Sequence, residues 1–249
     1  MRIGPGFGLA AAAGAALLAA AISEAPRVLR RVAVFEVRNV EVRGLRHLAP
    51  HQALATAGIR RGANLFDDSG PWRAALAVHP LVESVEIRRR IPATLVLEVR
   101  EAEPVLLVAT PALVPVDASG RVLPISPGHG SLDLPVLRGE ATLKEGRLAG
   151  PALLAAVAAF DRIRRLDPAL ASRVSEVSAH GSALALRLRR PADLAVLMDG
   201  GAAPEQLRRL RVVLDEVERA PEGARVGRID ARYDGQVVVA VTGRPGERR

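Results

Sequence analysis

The 249-residue sequence contains no cysteine, which excludes disulfide bonds and thiolate metal sites. Aromatic residues make up only 2% of it, so nucleotide bases have almost nothing to stack on and single-strand nucleic-acid binding is disfavoured. Lysine is represented by Lys144 alone, and arginine therefore carries the net charge of +8. Such a charge attracts DNA, anionic lipid or acidic partners, but the arginines alternate with apolar residues, which favours solvated protein faces.

The N-terminal segment is long enough to span a membrane. Residues 3–22 carry no charge, and a helix of about 20 residues matches the hydrocarbon core of roughly 30 Å. Alanine and glycine dominate the segment, and both insert less readily than leucine. We predict an uncleaved, single-pass anchor over residues 1–24, with the N-terminus in the cytoplasm and the bulk of the chain outside it, in the cell inner membrane.

The charges around this segment argue against that orientation. Arg2 alone precedes it, whereas three arginines follow closely, so a strict positive-inside count places the bulk of the chain in the cytoplasm. A true start codon upstream of Met1 would resolve the conflict if it added basic residues. The alternative is a cleaved signal peptide, because Ala19-Ala20-Ala21 resembles a cleavage site, but the apolar run exceeds the usual signal core of about 7 to 15 residues.

The composition of 49% hydrophobic and 25% charged residues is typical of folded domains, and the first of them has a strand–helix–helix–strand–strand pattern. Val40 and Val42 alternate with polar residues, as in a half-buried strand. One helix is predicted over residues 50–57, and Ser69 is predicted to cap a second. Two strands with apolar residues at alternate positions follow, one on each side of Pro92. The pattern predicts an α+β module in which these strands form an antiparallel pair beside the first strand.

Several short motifs of this module stand in the order and spacing of a known family. They are Val40–Gly44, Gly62–Leu65, His79–Arg89, Pro92–Leu95, Glu98–Glu101 and Pro104. Together they resemble the FtsQ-type POTRA domain of the FtsQ/DivIB family of cell division proteins. The resemblance implies a POTRA domain with a short linker over 25–103, an FtsQ-type β domain over 104–243 and a disordered tail over 244–249.

The second domain is predicted as a mixed β-sheet with two packed helices. The same resemblance implies a hairpin around 114–123 and a loop at 134–139. Residue periodicity predicts helices over 151–166 and 204–220, the second with Leu207, Leu210, Leu214 and Val217 on one side. Strands are predicted at 174–179, 183–188 and 193–198.

The C-terminal segment carries the candidate site. Asp234-Gly235 separates two strand-like runs and suits the positive φ angles of a tight hairpin turn. The resemblance to the FtsQ/DivIB family implies that a strand of FtsB, the partner in an FtsB/FtsL pair, is added to the sheet edge at this point. The implied partner-binding residues are Arg232, Tyr233, Gln236, Val237, Val238 and Val239. The valine-rich run suits an inner core strand equally well, so that alternative stays open.

A second candidate surface is the basic run Arg88, Arg89 and Arg90, which suits docking of another divisome protein or of anionic lipid. A solvated strand is the favoured alternative for this run.

No catalytic motif is present in the sequence, and no cofactor, metal or small-molecule substrate is predicted. His47 and His51 have the spacing of metal ligands, but Pro50 lies between them, and Asp67-Asp68 is better explained as a turn. We therefore predict a bitopic, non-enzymatic scaffold that links divisome components at the septum. The alternative is a POTRA-containing chaperone or outer-membrane assembly component, for which tandem POTRA repeats and a barrel are expected and are not evident.

Overall fold

The structure, a computed structural model, describes residues 29–30, 32–125, 132–191, 193–219 and 226–241. The predicted anchor at 1–24 and the predicted tail at 244–249 lie outside these ranges. Among the described residues, no helix is both long and apolar enough to cross a bilayer. The chain divides into two compact units between Glu101 and Ala102.

After a 3-10 helix at Ala33–Phe35, the described part of the first unit contains three strands and two α-helices, in the predicted order. They are β1 (Asn39–Arg43), α1 (Pro50–Ala57), α2 (Gly70–Ala77), β2 (Val82–Arg90) and β3 (Thr94–Glu101). β3 is the central strand, parallel to β1 and antiparallel to β2. The predicted antiparallel pair of β2 and β3 is thus confirmed, and β1 pairs with β3.

The two helices begin and end for identifiable reasons. Pro50 occupies the first turn of α1, where no backbone N–H is needed, and Gly58 ends the helix with φ of +65°. Ser69 occupies the N-cap position of α2 as predicted, but its side chain accepts no hydrogen bond there. The Oδ1 of Asp68, one residue earlier, instead accepts the N–H of Gly70, the first residue of the helix, at 2.9 Å.

Two motif residues of the first unit have a structural explanation. Gly44 has φ of +84°, and a Cβ on it would stand 2.0 Å from the carbonyl oxygen of Val99. The buried carboxylate of Glu101 accepts the backbone N–H groups of Arg46, His47 and Leu48, each at 2.9 Å. Both residues fix the chain between β1 and α1 against β3.

In the second unit, the described residues form ten strands and three helices. They are β4 (Leu106–Thr110), β5 (Ala112–Val116), β6 (Val136–Arg138), β7 (Thr142–Lys144), β8 (Arg147–Ala149), α3 (Pro151–Leu166), α4 (Pro168–Ala171), β9 (Val174–His180), β10 (Ala183–Leu188), β11 (Leu194–Asp199), α5 (Pro204–Arg219), β12 (Val226–Asp230) and β13 (Val238–Val241). Eight of these strands form one mixed sheet in the order β13-β12-β11-β10-β9-β6-β4-β5, and β7 and β8 form a separate hairpin. The segment predicted as a loop at 134–139 therefore contains a strand, β6, which lies between β4 and β9.

One face of the large sheet carries the core of the second unit. Leu184, Leu186 and Leu188 of β10 are buried, and they share the core with Phe160 of α3 and Leu210 of α5. The residues that alternate with these leucines are less buried, as the period of two requires. The prediction of a mixed β-sheet with packed helices is confirmed.

Candidate partner-binding edge

β13 is the terminal strand of the large sheet among the described residues. It pairs with β12 alone, and all four of its residues are exposed. Val238 and Val239 are 48% and 38% exposed and Val241 is 62% exposed, so no side of this strand is packed away. The alternative of an inner core strand is therefore wrong. An exposed, apolar edge strand offers unpaired backbone groups that another chain can complete.

The alternation of the backbone identifies which groups point outwards. The Ala231 N–H donates to the Leu197 carbonyl of β11 at 2.8 Å, so Asp230, one residue earlier, directs its backbone groups towards β13. Asp230 is paired with Val238 in the antiparallel register. Val238 therefore bonds to β12, whereas Val239 and Val241 present their N–H and C=O groups to the open side.

The connection between the last two strands differs from the prediction. β12 ends at Asp230 and β13 begins at Val238, so seven residues separate them, and Gly235 has φ of +74° whereas Asp234 has no positive φ. A turn lies at Asp234-Gly235 as predicted, but it does not join the two strands directly, so the expected two-residue hairpin loop is wrong. The connection is longer because Ala231 is buried and continues the pairing with β11. The chain therefore leaves the sheet only at Arg232.

An ion pair holds the start of this connection. The Arg232 guanidinium donates to both carboxylate oxygens of Asp230, from Nε at 2.9 Å and from a terminal nitrogen at 2.6 Å. Donation from this guanidinium holds the pKa of Asp230 below its ordinary value, against the opposing effect of burial. The same guanidinium lies 6.0 Å from the ring centre of Tyr233, which is 47% exposed. Tyr233 is thus displayed beside the open edge.

A buried glutamine supports the connection from beneath. Gln206 of α5 donates its side-chain amide to the Ala231 carbonyl at 2.8 Å. Gln206 was not among the predicted site residues. Its position in the sequence could have indicated burial, because it stands four residues before Leu210 on the apolar side of the predicted helix.

The remaining predicted partner residues lie in the same segment. Gln236 is exposed, whereas Val237 is partly buried against the core. The structure therefore brings Arg232, Tyr233, Gln236, Val238 and Val239 to one exposed corner of the sheet, with Val237 anchoring it. Asp230 and Val241 belong to this corner as well and were not predicted.

The opposite edge of the sheet is partly closed. β5 lies there, and its Pro115 has no N–H to donate, while the Pro115 carbonyl accepts the Leu123 N–H at 2.9 Å. Val116 of the same strand forms a bridge with Val122. Among the described residues of this sheet, β13 is the edge better suited to strand addition.

The basic run of the first unit makes contacts within its own domain. Arg88 pairs with Glu86 and Glu98 at 3.1 and 3.0 Å, and Arg90 pairs with Glu41. Arg89 donates to the backbone carbonyls of Leu65 and Asp67. Docking at Arg88, Arg89 and Arg90 stays a prediction, and these contacts favour a role in the domain itself.

The structure shows no metal-binding arrangement for the residues considered as metal ligands, His47, His51 and Asp67, in the part of the chain that it describes. The backbone N–H of His47 donates to Glu101, and His51 is exposed in the first turn of α1. Asp67 accepts the Asn64 N–H at 2.7 Å, in keeping with its predicted turn role. No group of three potential metal-binding side chains occurs among the residues that the structure describes.

Comparison with known proteins assigns both units. A family model described as "POTRA domain, FtsQ-type" matches residues 35–102, and one described as "Cell division protein FtsQ/DivIB, C-terminal" matches residues 107–232. The chain belongs to the FtsQ/DivIB family. A cell division protein FtsQ from Anaeromyxobacter sp. (strain K) is 34% identical over 248 residues, which cover 96% of this chain and 81% of that protein. Another, from Myxococcus fulvus, is 31% identical over 222 residues, 86% of this chain and 76% of its own length.

Membership of the FtsQ/DivIB family confirms the predicted family and the predicted non-enzymatic role. The first unit is an FtsQ-type POTRA domain, and the protein is a non-enzymatic cell division protein rather than a catalyst. The match to the FtsQ/DivIB C-terminal model ends at Arg232. Tyr233 and β13 therefore lie beyond the matched region, and their role rests on the geometry described above.

Proposed function

We propose that this protein is a bitopic scaffold of the divisome that binds an FtsB/FtsL-type pair by adding a partner strand to β13. The observation that carries the proposal is the open edge itself, where Val239 and Val241 direct their backbone groups outwards beside the exposed Tyr233. In strand addition, backbone hydrogen bonds supply affinity and register, and alternating side chains supply specificity.

The exposed side chains explain how such a partner strand would be selected. Val239 lies opposite Ile229 of the core in the β12–β13 register, so its side chain shares the face that carries the core. Val238 lies opposite Asp230 on the other face. A partner strand with apolar residues at alternate positions would extend the apolar face, and Tyr233 would cover its end, as tyrosine often does at interfaces.

The proposed location follows from the family and from the uncharged N-terminal segment. The anchor at 1–24 would hold the chain in the inner membrane, with the N-terminus in the cytoplasm and both described units outside it, at the division septum. The family match of the second unit leaves the alternative chaperone or outer-membrane assembly role without an observation in its favour.

A pull-down with matched variants tests the proposal. The fragment from Arg27 onwards is incubated with the extracytoplasmic part of the FtsB/FtsL pair from the same organism. Val239→Pro removes an outward backbone donor, and Tyr233→Ala removes the proposed anchor, whereas Val212→Ala removes apolar surface from α5, where Val212 is 69% exposed. We expect the first two variants to lose binding while they remain folded by circular dichroism, and Val212→Ala to bind as the wild type does.

Val238→Pro serves as a second comparison, because Val238 bonds to β12 rather than to the open side. It should weaken binding only through fraying of β13, so its circular dichroism or thermal transition should change as well. Wild-type protein that fails to bind the pair would refute the proposed partner. Binding that survives Val239→Pro would refute strand addition.

A further inference from the structure

A shallow depression in the POTRA domain has the chemistry of an anion site. It has a volume of about 500 Å³ and lies between the end of α1, the following turn and the start of α2. Trp72, the only tryptophan of the chain, lines it together with Arg60 and Arg61. Neither guanidinium makes an ion pair or hydrogen bond with another described residue, and both arginines are exposed. These two cations are therefore available to a ligand.

Two of the carboxylates near this depression are engaged, whereas that of Glu36 lies near Gly62, with its Oε1 3.9 Å from the position of a Cβ on that glycine. Asp67, which lines it, accepts the Asn64 N–H at 2.7 Å, and its other oxygen lies 4.0 Å from Nε of Arg30. The neighbouring Asp68 accepts the Gly70 N–H. The two guanidinium groups without a described partner favour an anionic occupant, and guanidinium groups suit the oxygens of a phosphate.

The path of the chain places the depression close to a bilayer if the proposed anchor is correct. Arg30 donates from Nε to the Phe66 carbonyl at 2.8 Å, so the N-terminal end of the described chain is fixed beside Asp67. Eight residue steps separate Arg30 from Ile22, the last residue of the uncharged run. At about 3.5 Å per residue these steps reach at most roughly 28 Å. The depression thus stays within a short distance of the lipid head groups.

We infer that Arg60, Arg61 and Trp72 form a site for the phosphate of an anionic phospholipid head group. Anionic lipids attract basic residues near the membrane surface, and tryptophan is enriched at the membrane–water interface. Occupation of the site would restrict the orientation of the POTRA domain relative to the bilayer. This inference rests on the proposed anchor, and it is separate from partner binding at β13.

Fluorescence of the single tryptophan tests this inference in the full-length protein. The chain is reconstituted in nanodiscs of phosphatidylcholine with or without phosphatidylglycerol, and acyl chains that carry bromine serve as quenchers of Trp72. We expect several-fold stronger quenching with phosphatidylglycerol. The double variant Arg60→Gln/Arg61→Gln should lose this difference. Arg100→Gln, which removes a charge paired with Glu83 on the same domain, should retain it.

Equal quenching in the two lipid mixtures, or an unchanged response of the double variant, would overturn the inference. A Trp72 response to free glycerol phosphate that depends on Arg60 and Arg61, without any response to phosphatidylglycerol, would also overturn it, in favour of a soluble phosphate ligand. A chain that does not enter nanodiscs would contradict the proposed anchor instead. The same protein would then be floated with vesicles of both compositions, where selective binding to phosphatidylglycerol that depends on Arg60 and Arg61 supports the site and equal binding overturns it.

Discussion

Gln206 of α5 donates its side-chain amide to the backbone carbonyl of Ala231 across 25 residues of sequence, at 2.8 Å and out of contact with water. Ala231 also donates its N–H to Leu197 of β11. Both backbone groups of Ala231 are thus held by the core of the second unit. Because Arg232 and Tyr233 follow directly, the position of the proposed partner edge depends on this buried contact.

Replacing Gln206 by leucine should loosen the edge. The Ala231 carbonyl would be left buried without a donor, which costs about 1–3 kcal/mol of folding free energy. We expect lower stability in urea and weaker partner binding, together with faster amide exchange over residues 231–241. Gln52→Leu on α1 is the matched control, since Gln52 is exposed and its side chain makes only a 3.4 Å contact with the Ala49 N–H. Equal effects of the two variants would contradict the role of Gln206.

The ion pair between Arg232 and Asp230 predicts a specific pH dependence. The pKa of Asp230 is lowered in the folded protein, chiefly by the guanidinium of Arg232. The stabilisation is therefore complete above the pKa of an unfolded aspartate, about 3.9, and is lost as the pH falls through the lower folded value. Binding between pH 5 and 8 should not vary on account of this pair.

A carboxyl titration by nuclear magnetic resonance measures this effect. Arg232→Gln should raise the pKa of Asp230 towards its ordinary value. Arg228→Gln should raise it less, because the Arg228 guanidinium lies 3.8 Å from the carboxylate. A larger change from Arg228→Gln would show that the contact with Arg232 does not dominate.

The carboxylate of Glu101 should be essential to the POTRA domain. It accepts three backbone N–H groups in a buried position, and Glu101→Gln would replace one acceptor oxygen by a donor. We expect a loss of about 1–3 kcal/mol in the free energy of unfolding, measured by chemical denaturation. Glu98→Gln removes only a surface pair with Arg88 and should cost about 0–1 kcal/mol.

Two glycines with similar backbone conformations should respond differently to alanine. Gly44→Ala would place a Cβ against the Val99 carbonyl, so the strain of a positive φ adds to a collision and we expect a loss of about 3 kcal/mol or more. Gly58 also has a positive φ but has open space around its Cβ position, and Gly58→Ala should cost about 1 kcal/mol. Thermal unfolding of both variants measures the difference. Similar losses would show that the close approach to Val99 is relaxed in solution.

Local periodicity was sufficient to predict most of the elements. The alternation of Leu184, Leu186 and Leu188 with smaller or charged residues gave β10 with its observed ends, and Pro50 and Gly58 gave the ends of α1. These signals are local because burial alternates with the period of the element itself.

Strand partners and long-range contacts could not be predicted in this way. β6 has only three residues, and its place between β4 and β9 depends on segments far away in sequence. The turn lies at Asp234-Gly235 as predicted, but a two-residue hairpin loop was wrong because Ala231 continues its pairing with β11. The role of Gln206 depends on a contact across 25 residues, which no local pattern contains. The open edge at β13 was one of two alternatives that residue pattern alone left equal.

Amide hydrogen exchange of β13 in the partner complex tests strand addition most directly. The N–H groups of Val239 and Val241 point away from β12 and should exchange quickly in the free protein. We predict that saturation with the FtsB/FtsL pair slows both amides by orders of magnitude, with little change at Val114 of the opposite edge strand. Exchange at Val239 and Val241 that stays fast in a saturated complex would contradict strand addition at this edge.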